Sequence, residues 1–289
     1  AVFTNLTQDH LDYHLTMKSY FESKAALFRN LSKEAFAVIN HDDPFGRKLE
    51  KLTKARIVTY GLKRGAQLGA KKIRFDCRRT DLTLVAGKQE LACSVPLVGI
   101  HNLYNILASA AWACEAGMGF AAIKKSLEHF GQVPGRLERV EGDADFTVYV
   151  DYAHTEDALK NILTALRGLA SKRIILVFGC GGERDRTKRP KMGRVATEMA
   201  DLCVITSDNP RSEDPQGIIR DIKRGIKKEN FTVILDRGEA IKKALSMARP
   251  RDIVVVAGKG HENYQVFEDR TVAFNDKEII KKCLKSKNF

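Results

Sequence analysis

Apolar residues recur at helical spacing through Tyr20, Phe21, Ala25, Leu27, Phe28 and Leu31, which predicts an amphipathic helix over 17–31. Phe36–Ile39 and Arg56–Tyr60 are short apolar runs of strand type. Residues 71–98 carry further short strands, with Ala86-Gly87 placed to turn a hairpin. Asn102–Ala116 is almost wholly apolar or small, which predicts a buried helix, and a second helix is expected over Ala121–Phe130. The segment from Gly131 to Glu138 (GQVPGRLE) is rich in turn formers and marks a boundary. The chain is therefore divided into domains 1–138 and 139–289.

Beyond the boundary the pattern alternates. Strands are expected at 146–150, 173–178, 202–206, 231–235 and 252–256. Helices are expected at 156–170, 191–200, 214–228, 237–248 and 275–286. Ile174–Phe178 and Ile253–Val256 are continuously apolar, as strands covered on both faces are. Such alternation predicts an α/β fold with a doubly wound, mostly parallel sheet. Ligands of that fold sit beyond the carboxyl ends of the strands.

Composition changes this picture little. A chain of 289 residues fits two domains of roughly 150 each. With 44% hydrophobic and 29% charged residues it is no disordered tail, collagenous repeat or disulfide miniprotein. The net charge of +13 is spread: 20 basic against 13 acidic residues in 1–138, and 29 against 23 beyond. Such a chain handles a polyanion or phosphorylated ligands. The charge is not clustered and no aromatic–basic interleaving marks a single-strand platform, so nucleic acid is disfavoured as a partner. Six cysteines (77, 93, 114, 180, 203, 283) form no metal-ligand spacing, and a reducing cytoplasmic location is expected. Residues 91–114 lack Asp, Glu, Lys and Arg. Pro96, Gly99, His101, Asn102 and Asn105 interrupt them, so a strand, a turn and a helix are expected there rather than a membrane span. The chain opens on Ala1 into what looks like the end of a strand, and an N-terminal part is expected to be missing.

Four strand ends carry polar, turn-forming loops. Asp151-Tyr-Ala-His154 follows the first; Asp151 could bond a ribose hydroxyl or cap the next helix. Gly179, Gly181 and Gly182 follow the second and could cradle an anion, with cations at Arg184, Arg186, Lys188, Arg189 and Lys191. These cations would equally make a solvated basic loop. Asp208-Asn209-Pro210-Arg211 follows the third. Its carboxylate and guanidinium suit a zwitterion, Asp for the ammonium and Arg for the carboxylate, though a capped turn also uses such residues. Gly258-Lys-Gly-His-Glu262 follows the last, where Glu262 and the Gly258 carbonyl offer acceptors to an amine.

In the first half Lys24 falls on the apolar stripe of its helix. It could snorkel, titrate low, or become an anionic carbamate that binds Mg²⁺. His10, within Asp9-His10-Leu-Asp12-Tyr-His14, is a co-ligand or simply packs. Asn102 and Asn105 share a helix face, Asn102 being a capping candidate. Arg136 could reach a phosphate or hold the domain junction.

Thr4–His14 (TNLTQDHLDYH), Tyr20–Phe28 (YFESKAALF), Gly99–Asn105 (GIHNLYN), Pro134–Glu138 (PGRLE) and Asp151–His154 (DYAH) occur in the order found in the Mur ligases. Over essentially the whole chain the sequence resembles that family of ATP-dependent amide ligases of peptidoglycan precursor synthesis. The resemblance implies part of the central ATP-binding domain, followed by a Rossmann-like amino-acid-binding domain. Asp-Asn-Pro-Arg and Gly-Lys-Gly-His-Glu resemble the branch that adds meso-diaminopimelate to UDP-MurNAc-L-Ala-D-Glu through an acyl phosphate. By that resemblance Lys24 is carbamoylated and holds Mg²⁺ with His10. Asn105, Arg136, Asp151 and His154 then serve ATP, with Arg136 also catalytic. Arg184, Asp208, Asn209, Pro210, Arg211, Gly258 and Glu262 line the diaminopimelate site. A monomer is favoured.

The sequence departs from the family in places. No G-x-x-x-x-G-K-[ST] occurs, so this chain alone is expected to be inactive. Glu156 stands where the family usually has Pro, and Glu183 where it has Asp. Two alternatives are a lysine-adding ligase and a non-catalytic relative acting as scaffold or nucleic-acid-associated protein. Substrate use after substitution of Arg211 separates the first. Salt-dependent nucleic-acid affinity would mark the second.

Overall fold

The computed structural model describes residues 1–169 and 172–286. Its chain falls into two compact units, Ala1–Gly131 and Gln132–Phe289. Residues 132–138, placed in the first domain from sequence, group with the second unit.

The first unit carries one sheet of six strands in chain order: β1 (Val2–Phe3), β2 (Phe36–Asn40), β3 (Arg56–Tyr60), β4 (Leu68–Phe75), β5 (Thr80–Ala86) and β6 (Gln89–Val95). The first four are parallel and the last three antiparallel. Parallel neighbours need a crossover. Here α1 (Leu11–His14) and α2 (Met17–Arg29) supply the first, and α3 (Pro44–Leu49) the second. α2 starts where Thr16 Oγ1 accepts the Ser19 N–H at 3.1 Å. It buries Phe21, Ala25 and Phe28 against Phe3, Ile39 and Leu49. α3 is capped by Asp43, with Pro44 in its first turn. Six residues are too few to show a helical period, so the pattern omits it. The expected hairpin is present, Ala86 facing Gln89 across Gly87 at φ +60°. α4 (Ile100–Glu115) and α5 (Phe120–Glu128) complete the unit. α4 is less buried than expected: Asn105 is exposed and Trp112 is 47% exposed. Its small residues fill both faces, so composition does not reveal the solvent side.

The second unit is the doubly wound α/β fold. Its strands are β7 (Glu138–Val140), β8 (Thr147–Asp151), β9 (Ile174–Phe178), β10 (Leu202–Ile205), β11 (Phe231–Val233) and β12 (Ile253–Ala257). The order is β11-β10-β9-β12-β8-β7, all parallel except β7. The helices are α6 (Glu156–Leu169), α7 (Lys188–Met199), α8 (Pro215–Lys223), α9 (Arg237–Met247) and α10 (Asp276–Ser286). α6, α7 and α8 cover one face, where Ile174, Leu176 and Phe178 point; α9 and α10 cover the other, where Ile175 and Val177 point. This period of two inside an unbroken apolar run is what double coverage requires. A hairpin of β13 (Tyr264–Val266) and β14 (Thr271–Ala273) follows.

Some boundaries move. α7 starts at Lys188 and not at 191, and α8 stops at Lys223 short of 228. There the chain turns against α7: a Cβ on Gly225 would lie 1.7 Å from the Pro190 carbonyl oxygen. Residue 170, the last of the helix expected at 156–170, lies outside the described residues. From β8 the chain steps outward through β9, β10 and β11, then returns to insert β12 between β9 and β8. That reversal opens a crevice beyond the carboxyl ends of β8, β9 and β12.

Candidate functional site

The loops after β8, β9, β10 and β12 meet at that carboxyl edge. Their core is a triad from two loops, with Lys259 and Asn209 buried and Glu262 at the margin. Lys259, fully buried, donates to Asn209 Oδ1 and to Glu262 Oε2, both at 2.9 Å. Asn209 Nδ2 donates to the same Glu262 oxygen at 2.9 Å, and Asn209 Oδ1 also accepts the Val266 N–H at 3.0 Å. Asn209 is therefore largely committed within the protein. Glu262 Oε1 has no partner among the described residues.

Arg211 stands beside the triad in a left-handed backbone conformation, φ +53°. Its Nη1 donates to the Gly182 carbonyl at 2.7 Å, and its N–H to the Val266 carbonyl at 3.1 Å. Nε and Nη2 have no partner among the described residues and remain available to a carboxylate. Arg184 is exposed, held by Nη1 on the Glu183 carbonyl at 3.0 Å.

Asp208, the ammonium partner suggested by sequence, turns inward. Its Oδ1 accepts the Asn209 N–H at 2.7 Å. Its Oδ2 lies 4.0 Å from Nη1 of buried Arg237. Arg237 in turn pairs with buried Asp276 through Nε and Nη2, both at 2.8 Å, and holds the Ala257 carbonyl. Gly258, at φ +119°, is required there, since a Cβ would lie 2.6 Å from Asp208 Oδ2. Asp208 Oδ2 and Arg237 Nη1 are both buried without a hydrogen-bond partner among the described residues, facing each other across that 4.0 Å gap, whereas the open oxygen of Glu262 belongs to a partly exposed side chain. Pro210 is buried, and its carbonyl accepts the Glu213 N–H at 3.1 Å.

The glycine-rich loop is also explained by packing. A Cβ on Gly179 would lie 2.3 Å from the Thr206 carbonyl oxygen, and one on Gly182 1.9 Å from that of Pro210. The cations behind it are not an open cradle. Arg189 is 1% exposed and pairs with Glu213 and Asp221; Arg186 also reaches Glu213, and Lys188 is buried. Glu183, the departure from the family pattern, adopts φ +53°, bonds Ser212 and donates its N–H to Glu213 at 2.6 Å. Glu156 pairs with Arg194 at 2.8 Å.

On the β8 side Asp151 ends its strand 3% exposed. It caps no helix. Oδ2 accepts the Leu137 N–H and Oδ1 the Ala153 N–H, both at 2.7 Å. Burial pushes its carboxyl up to about 6, against the pull of these two bonds. Tyr152 gathers the neighbouring loops: the Arg136 guanidinium lies 5.0 Å over its ring, with the His154 and His261 rings at 4.7 and 5.7 Å. Gly135, at φ +68°, permits this, since a Cβ would come within 2.4 Å of the His261 backbone nitrogen. Arg136 is exposed and free to reach an anion.

In the first unit Tyr20 is the common neighbour. Lys24 Nζ lies 5.1 Å from its ring centroid, the His10 ring 6.0 Å away edge-on, and His14 stacks on it at 4.7 Å. Lys24 is half-buried at the margin of the Phe21–Ala25–Phe28 stripe, not inside it. Its ammonium has no hydrogen bond or ion pair among the described residues. His10 is exposed at φ +55°, 3.4 Å from Asp9. Among the described residues no three His, Cys, Asp or Glu side chains group to hold a metal. A lysine carbamate beside an imidazole would supply oxygen and nitrogen donors without such a group. Asn102 is not the cap of α4, which is Gly99. It is buried, donates to the Val98 carbonyl at 2.9 Å, and receives exposed Asn105 at 3.4 Å.

Lys259, Arg237, Tyr152, Tyr20 and Asp42 are given no site role by the sequence. Asp42 follows β2, accepts the Leu62 N–H at 2.6 Å and the Tyr104 hydroxyl at 2.7 Å, and so fixes the loop after β3. The one available signal was position: each lies within or next to a strand-end loop or named motif.

Residues 1–113 match the model of the Mur ligase middle domain, and residues 135–260 that of the Mur ligase glutamate ligase domain. The chain is 45% identical over 290 residues to UDP-N-acetylmuramoyl-L-alanyl-D-glutamate–2,6-diaminopimelate ligase of Halalkalibacterium halodurans, covering 99% of this chain and 60% of that protein. To the same-named ligase of Clostridium botulinum it is 42% identical over 287 residues, covering 99% and 59%. A solved structure of a ligase of that name aligns with a TM-score of 0.64 at 36% identity, over 100% of this chain and 60% of that one. MurF ligase from Thermotoga maritima in complex with ADP shares the fold, with a TM-score of 0.72 at 20% identity over 90% of this chain and 58% of that one. The chain thus spans about 60% of the length of these relatives. No described helix is long and apolar enough to cross a membrane.

Proposed function

The chain belongs to the Mur ligase family, and on that premise we propose that its protein is an ATP-dependent ligase joining meso-2,6-diaminopimelate to the D-glutamyl γ-carboxylate of UDP-MurNAc-L-Ala-D-Glu. The observation that carries this is the edge of the second unit. There Arg211 keeps Nε and Nη2 free, while Glu262, joined to the same loop through Asn209, keeps Oε1 free. Diaminopimelate brings a distal carboxylate and ammonium to such a pair; lysine brings only the ammonium. A site that leaves its arginine unpaired rejects lysine.

The γ-carboxylate attacks the terminal phosphorus of ATP, and the bond to ADP breaks. The amine of diaminopimelate then attacks the acyl carbon. Phosphate leaves, the nitrogen loses a proton and the amide forms. Arg211, Arg184 and Glu262 orient the amino acid, and Asn209, Asp208, Pro210 and Gly258 shape their loops. Arg136 and His154, gathered on Tyr152, serve the phosphate side. Asp151 holds Leu137 and Ala153, and so positions Arg136. Asn105 offers its amide to the nucleotide. Lys24 as a carbamate and His10 would hold Mg²⁺, which supplies charge neutralisation for the transferring phosphoryl group. Both residues fit, sharing Tyr20 with the lysine ammonium otherwise unpaired. The place of action is the cytoplasm, where the nucleotide-linked precursor and ATP are found together.

The test is ADP release by the intact protein with ATP, Mg²⁺ and UDP-MurNAc-L-Ala-D-Glu. Release that depends on diaminopimelate and not on lysine is expected. Equal use of lysine points to a lysine-adding ligase. No release with either amine points to a non-catalytic relative.

A further inference from the structure

We propose that Lys259 is a positioning residue for amino-acid selection: it orders Glu262 and Asn209 so that a single carboxylate oxygen faces the incoming amine. This rests on the amino-acid site proposed above and adds a residue to it.

Lys259 is fully buried, a costly place for an ammonium unless its donors are all met. Two are met by Asn209 Oδ1 and Glu262 Oε2, at 2.9 Å each. Its charge also lies 5.6 Å from the centroid of the Tyr264 ring. The ammonium thus points along the inner side of the pocket loops.

The bonds fix more than the loops. Glu262 Oε2 receives both Lys259 Nζ and Asn209 Nδ2. With that oxygen saturated from one side, the carboxylate plane is set and Oε1 is left as its only open acceptor. Asn209 Oδ1 takes Lys259 and the Val266 N–H, which fixes which end of the amide faces Glu262. A glutamate without these partners would rotate, present either oxygen, and fold back on neighbouring cations. Lys259 also cancels one unit of negative charge beneath Glu262. The open oxygen then acts as a directional acceptor, and a bare cation in its place gains little. Such a device favours an ammonium with a matching carboxylate for Arg211 over a simple amine.

The closing experiment uses the intact protein and a double-mutant cycle of Lys259→Met, Glu262→Gln and both together. Apparent KM is measured separately for diaminopimelate, ATP and the UDP-dipeptide, with a thermal melt of each variant. For Lys259→Met we expect KM for diaminopimelate to rise at least 10-fold. The kcat and the other two KM values should stay within about twofold. In the double variant most of the Lys259 effect should vanish against Glu262→Gln alone, because the two act as one unit. An unchanged KM for diaminopimelate overturns the proposal. So do effects that multiply in the double variant, or a proportionate loss across all three substrates. Should Lys259→Met fail to fold with its stranded carboxylate, the double variant, which strands no charge, carries the comparison with Glu262→Gln. Wild-type protein that shows no amine-dependent ADP release overturns the functional reading itself, and is told apart from these outcomes before any variant is made.

Discussion

Arg189 closes on both carboxylate oxygens of Glu213, Nη2 to Oε1 at 2.9 Å and Nη1 to Oε2 at 3.0 Å. The arginine is 1% exposed and also holds Asp221 at 3.0 Å and the Gly181 carbonyl at 3.2 Å. It therefore ties the glycine-rich loop after β9 to the loop after β10 that carries Arg211. These hydrogen bonds also hold the Glu213 carboxyl below its ordinary range.

Breaking that tie strands charge. Arg189→Met removes the buried cation that Glu213 and Asp221 share and leaves them only the exposed Arg186 and Arg224. A loss of about 3 kcal/mol is expected, since removing one partner of a buried pair costs far more than a surface pair contributes. Urea unfolding of wild type and variant measures it. A change under about 1 kcal/mol would show that water and the exposed Arg186 and Arg224 replace the buried guanidinium without penalty.

Asp151 gives a pH signature. Its folded carboxyl titrates near 6, above the ordinary value of 3.8. A raised value means that its contribution to stability is full below 3.8 and is lost as pH rises through 6. Wild type should therefore gain stability relative to Asp151→Asn as pH falls from 7 to 4, by up to about 3 kcal/mol at 1.4 kcal/mol per pH unit. Denaturant unfolding of both proteins across that window provides the check. A difference that is flat, or that grows toward pH 7, contradicts the burial-driven shift.

Arg211 should decide between amino acids. With Arg211→Ala we expect the KM for diaminopimelate to rise about 10- to 100-fold, the scale of a charged hydrogen bond. Discrimination against lysine should narrow in parallel. Steady-state kinetics with both amines read this directly. Unaltered use of diaminopimelate would remove Arg211 from the pocket.

Lys24 should be indispensable to turnover in the intact protein. Lys24→Ala is expected to lower kcat by about 100-fold or more, the scale of lost charge stabilisation around a transferring group. A small added carboxylate should restore part of it. Unchanged turnover would exclude the carbamate.

How much was legible follows from what makes a pattern. β9 and β12 were placed nearly to the residue, because burial on both faces leaves an unbroken apolar run. α3, β7, β13 and β14 were missed, each too short to repeat a period. The strand-end loops are legible in the sequence, and the structure brings them to one sheet edge. Which atoms of them are free was not legible. Asp208 and Arg211 look equally polar in the sequence, yet one faces Arg237 and the other keeps two nitrogens open.

The sequence alone determined the alternation of elements, the family and the set of loops at one sheet edge, because periodicity and motif spacing are local along the chain. Only the tertiary structure decided the pairing of charges. Nothing local in the sequence marks Lys259, Arg189 or Arg237 as buried, yet each lies against carboxylates, Lys259 on Glu262 nearby, Arg189 on Glu213 and Asp221, and Arg237 on Asp276. Burying a charge is favourable only where enough partners converge on it, and for Arg189, Arg237 and, through Asn209, Lys259 that convergence is set by the order in which the strands return to the sheet.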